Sequence, residues 1–264
     1  MEQRNSSQRN ASSLARAQTN SNWRSGLARE VVLVGLAYLV YSQVRGLAGD
    51  RVVDAFANGY RIVDIESEMG IFKELALQTL VLSIEPLEHF FNLVYTGGLF
   101  PLLLPTAVWL YVRKPQVYSL ARNAFLISGA IAVCFFLILP TAPPRLIGMG
   151  FIDTLSQGVG PSYSSLPGVN HFAALPSMHV GWNFLTSVAI YLALAGFRWR
   201  FVVLLLPPVM FLSTVATGNH YFLDGVLGVL VAAMALVIAL KLEARLTGEP
   251  VGLILRPRSP GSSS

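Results

Sequence analysis

The strongest constraint on this chain is where charge is missing. Residues 89–112, 123–144, 176–197, 201–219 and 225–240 contain no Asp, Glu, Lys or Arg. A helix needs about 20 predominantly apolar residues to cross a hydrocarbon core of roughly 30 Å, so each run is read as a span. A further run, from Val31 to about Ala48, is interrupted by Arg45 and supplies a first span. The chain is 53% hydrophobic and 12% charged, whereas a soluble domain carries about 25% charged residues. These features exclude a soluble globular enzyme, a disordered chain, a fibrous repeat and a DNA-binding module. The expected fold is all-α: a polytopic membrane bundle of about six transmembrane helices plus an amphipathic interfacial helix.

That interfacial helix is expected within Asp50–Leu87, where charges interrupt apolar residues at helical spacing and Leu75–Ile84 is too short to cross. Residues 1–26, rich in Ser, Asn, Gln and Arg, read as a disordered tail. Residues 27–246 form a single membrane-embedded catalytic domain, and 247–264 form a second tail. No signal-peptide pattern opens the chain. Gly97, Gly98, Pro101 and Pro105 in the second span, and Pro207 and Pro208 in the fifth, predict kinks. The single cysteine, Cys134, excludes an intrachain disulfide and reads as a packing residue.

Charge also predicts orientation. With six spans, one side carries Arg4, Arg9, Arg16, Arg24, Arg29, Arg113, Lys114, Arg122, Arg198, Arg200, Lys241, Arg245, Arg256 and Arg258. The other carries only Arg51, Arg61, Lys73 and Arg145. The positive-inside rule places both termini in the cytoplasm of a cell-membrane protein, with loops 49–87, 141–175 and about 218–221 facing outward. The net charge of +5 is then a topology signal rather than an attraction to nucleic acid.

Three polar clusters fall on that outer face: Pro140–Arg145, Leu175–His179 and Thr217–Asp224. Ionisable groups at a bilayer are costly and usually serve function. His220 and Asp224 share a face if both lie on one helix, with a rise of about 6 Å. A carboxylate there can hold one ring nitrogen and leave the other a better nucleophile. His179 is expected one turn inside a helix that Pro176 opens. Backbone N–H groups at that helix start, around Ser177 and Met178, form an anion seat. Arg145 offers a fork matched to phosphate oxygens. The set suits phosphoryl transfer, in which positioning and charge stabilisation supply most of the catalysis. His89 and His171 read as interface and loop residues. Asn92, Tyr95 and Asn123 are expected to bond between helices rather than shape a pocket.

The clusters resemble the three ordered motifs of the type 2 phosphatidic acid phosphatase superfamily. The branch they look most like is that of the fungal inositol phosphorylceramide synthases and their bacterial relatives. Pro143-Pro144-Arg145, Pro176-Ser177-Met178-His179 and Thr217-Gly218-Asn219-His220 with Asp224 carry the likeness, over roughly residues 50–240. The resemblance implies that His220 attacks phosphorus to give a phosphohistidine and that Asp224 orients it. His179 would protonate the leaving group, while Arg145, Ser177 and Met178 would bind the phosphate, with no metal or other cofactor. The chain departs from the pattern in three places. The first motif lacks its opening Lys, Met178 stands where Gly is usual, and Ser213-Thr214 replace a Ser-Arg pair. These departures fit a phosphodiester or headgroup-transfer substrate better than a phosphomonoester.

The expected function is therefore an integral membrane lipid phosphatase or phosphotransferase at the outer leaflet. It would hydrolyse a lipid phosphate or pass it to a hydroxyl acceptor such as inositol or a sugar. Its partners are the lipid substrate and membrane lipids. A non-catalytic transporter or binder of an anionic lipid is the alternative, and a metallohydrolase using His179, His220 and Asp224 is a third reading; no inverted repeat and no HExxH favours either.

Overall fold

The computed structural model describes residues 26–43, 51–156, 171–248 and 250. Among them every regular element is helical, and the one β-type contact is a bridge between Thr141 and Ala173. The chain separates into two units, residues 1–43 and 44–264. In the first unit, α1 (26–43) covers most of the expected first span. The end of that span and the sequences 1–25 and 251–264 lie outside the described residues.

The second unit opens with α2 (Val52–Glu68) and α3 (Glu74–Leu82). The buried residues of α2 are Ala55, Gly59, Ile62, Val63 and Glu66, a single helical stripe. The expected amphipathic helix is thus present as two short helices. Next come α4 (Glu85–Gly97) and α5 (Phe100–Arg113), bent by 43° at Gly98–Leu99. The predicted kink lies at the glycines, because a Cβ at Gly98 would strike the Val94 carbonyl and Met210. Pro101 falls in the first turn of α5, where its missing N–H is harmless.

Helix α6 (Pro115–Ile138) starts before the expected Asn123 and ends before the first polar cluster. After a short 3-10 turn (Pro144–Leu146) come α7 (Met178–Ala193), a 3-10 segment (Arg200–Leu205) running into α8 (Leu206–Ala216), and α9 (Phe222–Thr247). Pro207 and Pro208 open α8 rather than kinking a continuous span. By length and composition, α6 and α9 are long and apolar enough to cross a membrane, and the bent pair α4–α5 makes a third. The expected count of about six is not reached on this measure. Helix α7 has only 16 residues, and Arg200–Ala216 is also too short to qualify.

Small residues bring the long helices together. Helix α9 packs along α6 and α7, and Ala124, Ala232 and Ala239 are fully buried in that seam. A Cβ on Gly181 would lie 2.6 Å from the Gly228 carbonyl oxygen, and one on Gly228 would be driven into the Ser177 carbonyl. Backbone-to-backbone approach of this kind is how helices pack where the hydrophobic effect is weak. It sets the start of α7 directly against α9. Cys134 is exposed on α6, contrary to the expected packing role.

Candidate active site

Backbone hydrogen bonds join the three polar clusters at one end of these helices. Thr141 N–H donates to Phe172 O at 2.7 Å and Ala174 N–H to Thr141 O at 3.3 Å, which ties the first cluster to the second. Arg145 N–H donates to Gly218 O, and Ser177 N–H to Asp224 O, both at 2.9 Å. The first cluster is thereby tied to the third, and the third to the second. The convergence expected from the sequence is realised at backbone level.

The third cluster is shaped by the way α8 ends. Gly218 N–H donates to Val215 O and Asn219 N–H to Thr214 O, the paired bonds of a Schellman cap. That cap needs a left-handed residue, and Gly218 supplies it at φ +69°. The turn delivers Asn219 to Arg145 and His220 to Asp224. His220 therefore precedes α9 and is not on a helix with Asp224, as the spacing argument expected. Tyr221, in extended conformation, is the N-cap, and Asp224 is the third helical residue, which folds back to accept the Tyr221 N–H at 3.0 Å. The His–Asp pair comes from this cap and not from a shared helical face.

His220 Nδ1 lies 2.9 Å from Ala174 O and 3.3 Å from Asp224 Oδ2. A carbonyl can only accept, so Nδ1 carries the hydrogen, and in the neutral ring that leaves the lone pair on Nε2. His220 is buried, and Asp224 is fully so. The His179 ring centroid is 6.0 Å from that of His220, and its other neighbour is Tyr95, stacked on it at 4.5 Å. His179 is the second residue of α7, closer to the helix start than expected, because Ser177 is the N-cap and Pro176 stands outside.

Arg145 sits in the 3-10 turn with its side chain almost wholly buried. Its Nη1 donates to Asn219 Oδ1 at 2.6 Å, and its Nε is 3.4 Å from Asp153 Oδ2. Gln78 pins the loop that carries Asp153. Its Nε2 donates to Ile152 O and Ala216 O, and its Oε1 accepts the Ile152 N–H. The Ser177 N–H is engaged by Asp224 O, while its buried Oγ has no partner. Met178 opens α7, and its side chain is buried. The residues standing for the family's Ser-Arg pair turn to the backbone: Ser213 Oγ donates to Phe91 O and Thr214 Oγ1 to Phe211 O.

Besides Asp153, two further residues were absent from the sequence expectation. Glu66 on α2 and Glu74 on α3 have no exposed surface. Glu74 Oε1 accepts the Phe222 N–H at 3.0 Å and Glu66 Oε1 the Leu223 N–H at 2.7 Å. Burial, reinforced by a hydrogen-bonded Glu74, pushes the Glu66 carboxyl up to about 9. Burial likewise raises the phenol of Tyr221, whose hydroxyl donates to Ala142 O. A signal for Glu66 was available: it continues the apolar stripe of α2 one turn past Ile62 and Val63.

The remaining polar residues stand elsewhere. Asn92 Oδ1 accepts the Thr154 hydroxyl at 2.7 Å from the loop, and Asn123 Oδ1 accepts from Arg122 beside it. Tyr95 of α4 lies on the His179 ring of α7. His89 Nδ1 pairs with Glu85 O one turn back on α4, and His171 lies in the loop before the second cluster. Among the described residues, no three His, Cys, Asp or Glu side chains are gathered as metal ligands.

Compared with known families, residues 60–238 match a family model described as the PAP2 superfamily. No curated protein and no solved structure matches the chain.

Proposed function

Because the chain belongs to the PAP2 superfamily, we propose that it is an integral membrane enzyme that processes a lipid phosphate through a phosphohistidine on His220. The match and the apolar helices support a membrane phosphatase or phosphotransferase. The observation that carries the proposal is the double acceptor on His220 Nδ1, which leaves Nε2 free to attack.

In the first step, His220 Nε2 forms a bond to phosphorus and the phosphorus–oxygen bond to the leaving group breaks. The departing oxygen takes a proton from the His179 imidazolium. Asp224 and Ala174 O hold the Nδ1–H through the step and offset the charge that develops on the ring. Arg145, the Ser177 hydroxyl and the Met178 N–H, which opens a helix and so has no intrahelical acceptor, bind the phosphoryl oxygens. In the second step a hydroxyl oxygen attacks phosphorus, its proton passes to His179, and the nitrogen–phosphorus bond breaks. Water as the nucleophile gives hydrolysis; an inositol or sugar hydroxyl gives a new lipid where the group that left in the first step was the headgroup of a phosphodiester, so that the lipid stays on phosphorus.

Asp153 favours a singly charged phosphodiester over a doubly charged monoester. It lies against Arg145 and offsets part of its charge. We assign the enzyme to the cell membrane as about six spans, with α1, α7 and α8 added to the three apolar units. Both termini are cytoplasmic and the site faces outward, on the distribution of Lys and Arg.

The test is purified protein incubated with phosphatidic acid or phosphatidylinositol, with and without inositol or sugar acceptors. Free phosphate from phosphatidic acid, or a phosphomonoester from phosphatidylinositol, assigns a hydrolase, and an acceptor-dependent lipid from phosphatidylinositol assigns a transferase. A 32P label on wild-type protein that is lost in His220→Ala is expected in both cases. Full turnover by folded His220→Ala, or uptake into proteoliposomes of chemically unchanged lipid, overturns the proposal.

A further inference from the structure

The first three N–H groups at the start of α9 are each taken by a different carboxyl group. Tyr221 N–H goes to Asp224 of α9 itself, Phe222 N–H to Glu74 of α3, and Leu223 N–H to Glu66 of α2. One Ser, Asn or Asp side chain is the usual cap, and it serves one or two such groups. Here three carboxyl groups are fully buried together. Burying ionised carboxylates is expensive unless they are paired or neutralised, so a merely local cap would not need this arrangement.

The outer oxygens supply the reason. Oε2 of Glu66 and Oε2 of Glu74 have no N–H or O–H partner among the described residues. The two carboxyl groups lie against each other, and burial together with this contact raises the affinity of Glu66 for its proton. Two ionised carboxylates would repel in such a buried contact, so one of them carries a proton. Through one shared proton, α2 and α3 are coupled to each other and to the residues that follow His220.

We propose that Glu66 and Glu74 are positioning residues, a proton-sharing carboxyl pair that clamps Phe222 and Leu223 and so holds the His220 ring against Asp224. The inference rests on the reading of His220 as nucleophile. The raised affinity of Glu66 for its proton agrees with it. The titratable groups that face Glu66 are Glu74 from α3 and Asp224 from α9, with Tyr221, and Tyr60 beyond it, on the same side. With the shared proton gone, three carboxylates would face one another in a buried space. The first turn of α9, and with it Asp224, would then be pushed out of register with His220.

The experiment compares wild type, Glu66→Gln, Glu66→Ala and Glu74→Gln as purified full-length protein in detergent micelles. Turnover is measured on phosphatidic acid and phosphatidylinositol, and 15N shifts of labelled histidine report the His220 tautomer. Gln keeps an acceptor for Leu223 N–H and a donor for Glu74, so Glu66→Gln and Glu74→Gln are expected to stay within about threefold of wild-type kcat. Glu66→Ala is expected to lose at least tenfold in kcat with KM within twofold, and its His220 shifts move from a fixed Nδ1–H form toward a tautomer mixture. An alanine variant with wild-type kcat and unmoved shifts overturns the proposal, as does a glutamine variant that loses as much as alanine. If Glu66→Ala does not fold, Glu66→Asp decides. Its shorter carboxyl cannot reach both partners, so wild-type kcat in that variant overturns the clamp. If wild type turns over neither lipid, the catalytic reading fails, and the His220 shifts alone decide whether the pair holds the ring.

Discussion

Asp224 places one oxygen between two donors: Oδ2 lies 3.3 Å from His220 Nδ1 and accepts the Tyr221 N–H at 3.0 Å. The same contact fixes the tautomer of the His220 ring and the first turn of the helix behind it. In Asp224→Asn the amide oxygen can still accept from both Tyr221 N–H and His220 Nδ1–H, but it carries no full negative charge to stabilise the ring once it is charged. A loss of about 10³–10⁴ in kcat is expected, by analogy with carboxylate-to-amide changes behind other catalytic histidines. The fold should survive, as judged by circular dichroism. An Asn variant above a tenth of wild-type kcat would refute the role.

Asp153 and Arg145 set the charge that the phosphate meets. Asp153→Asn releases Arg145 from its 3.4 Å contact, so kcat/KM for phosphatidic acid should rise relative to that for phosphatidylinositol. A threefold to tenfold change in the ratio is expected for a partly buried ion pair. Arg145→Lys keeps the charge but loses the fork, and should cost at least tenfold on either lipid. An unchanged lipid ratio in Asp153→Asn would remove Asp153 as a specificity residue.

Tyr95 presents a flat face to His179 at a centroid distance of 4.5 Å. Tyr95→Phe retains that face and should stay within about threefold of wild type. Tyr95→Ala removes it; aromatic pairs are worth about 0.5–1.5 kcal/mol, so a twofold to tenfold loss in kcat is expected. A loss in Phe as large as that in Ala would show that the hydroxyl, not the stack, is what matters.

Stability should depend on pH through Glu66. Its carboxyl is raised from 4.5 to about 9 in the folded protein. Between those values the folded state holds a proton that the unfolded chain releases, so stability falls as pH rises across that window. Thermal melts of the micellar protein from pH 5 to 9 should therefore slope downward, and Glu66→Gln should flatten the slope. Parallel slopes for the two proteins would contradict the assignment.

The α7–α9 crossing has no room for a methyl group. Gly228→Ala drives its Cβ into the Ser177 carbonyl, and backbone cannot move aside as a flexible side chain does. Overpacking of this kind costs about 1–3 kcal/mol. Tm should fall, and kcat should fall with it because Ser177 N–H is bonded to Asp224 O. Gly196→Ala, where nothing lies within 4 Å, serves as the control.

Much of this site could be read before the fold was known, and the reasons it could not all be read are specific. The apolar runs announce α6 and α9 because uncharged length is a one-dimensional property. Arg145, His179, His220 and Asp224 stand out because polar groups are rare at the ends of such runs, and the backbone links among their segments agree. The pairing of His220 with Asp224 was legible, but its cause was not, since a Schellman cap followed by a capping box gives the same four-residue spacing as a helix face. Asp153 was hidden because a loop contact has no periodicity. Glu66 and Glu74 looked like the solvated side of an interfacial helix. Only the position of Glu66 on the buried stripe of α2 distinguishes it.

The bonds that hold His220 in place reach far back along the chain: Leu223 to Glu66 spans 157 residues, and Phe222 to Glu74 spans 148. A polypeptide that stops short of Asp224 lacks the carboxylate bonded to His220, however well its earlier helices are made. On the mechanism proposed for His220, reactivity toward lipid therefore depends on the closing of α9 against α2 and α3.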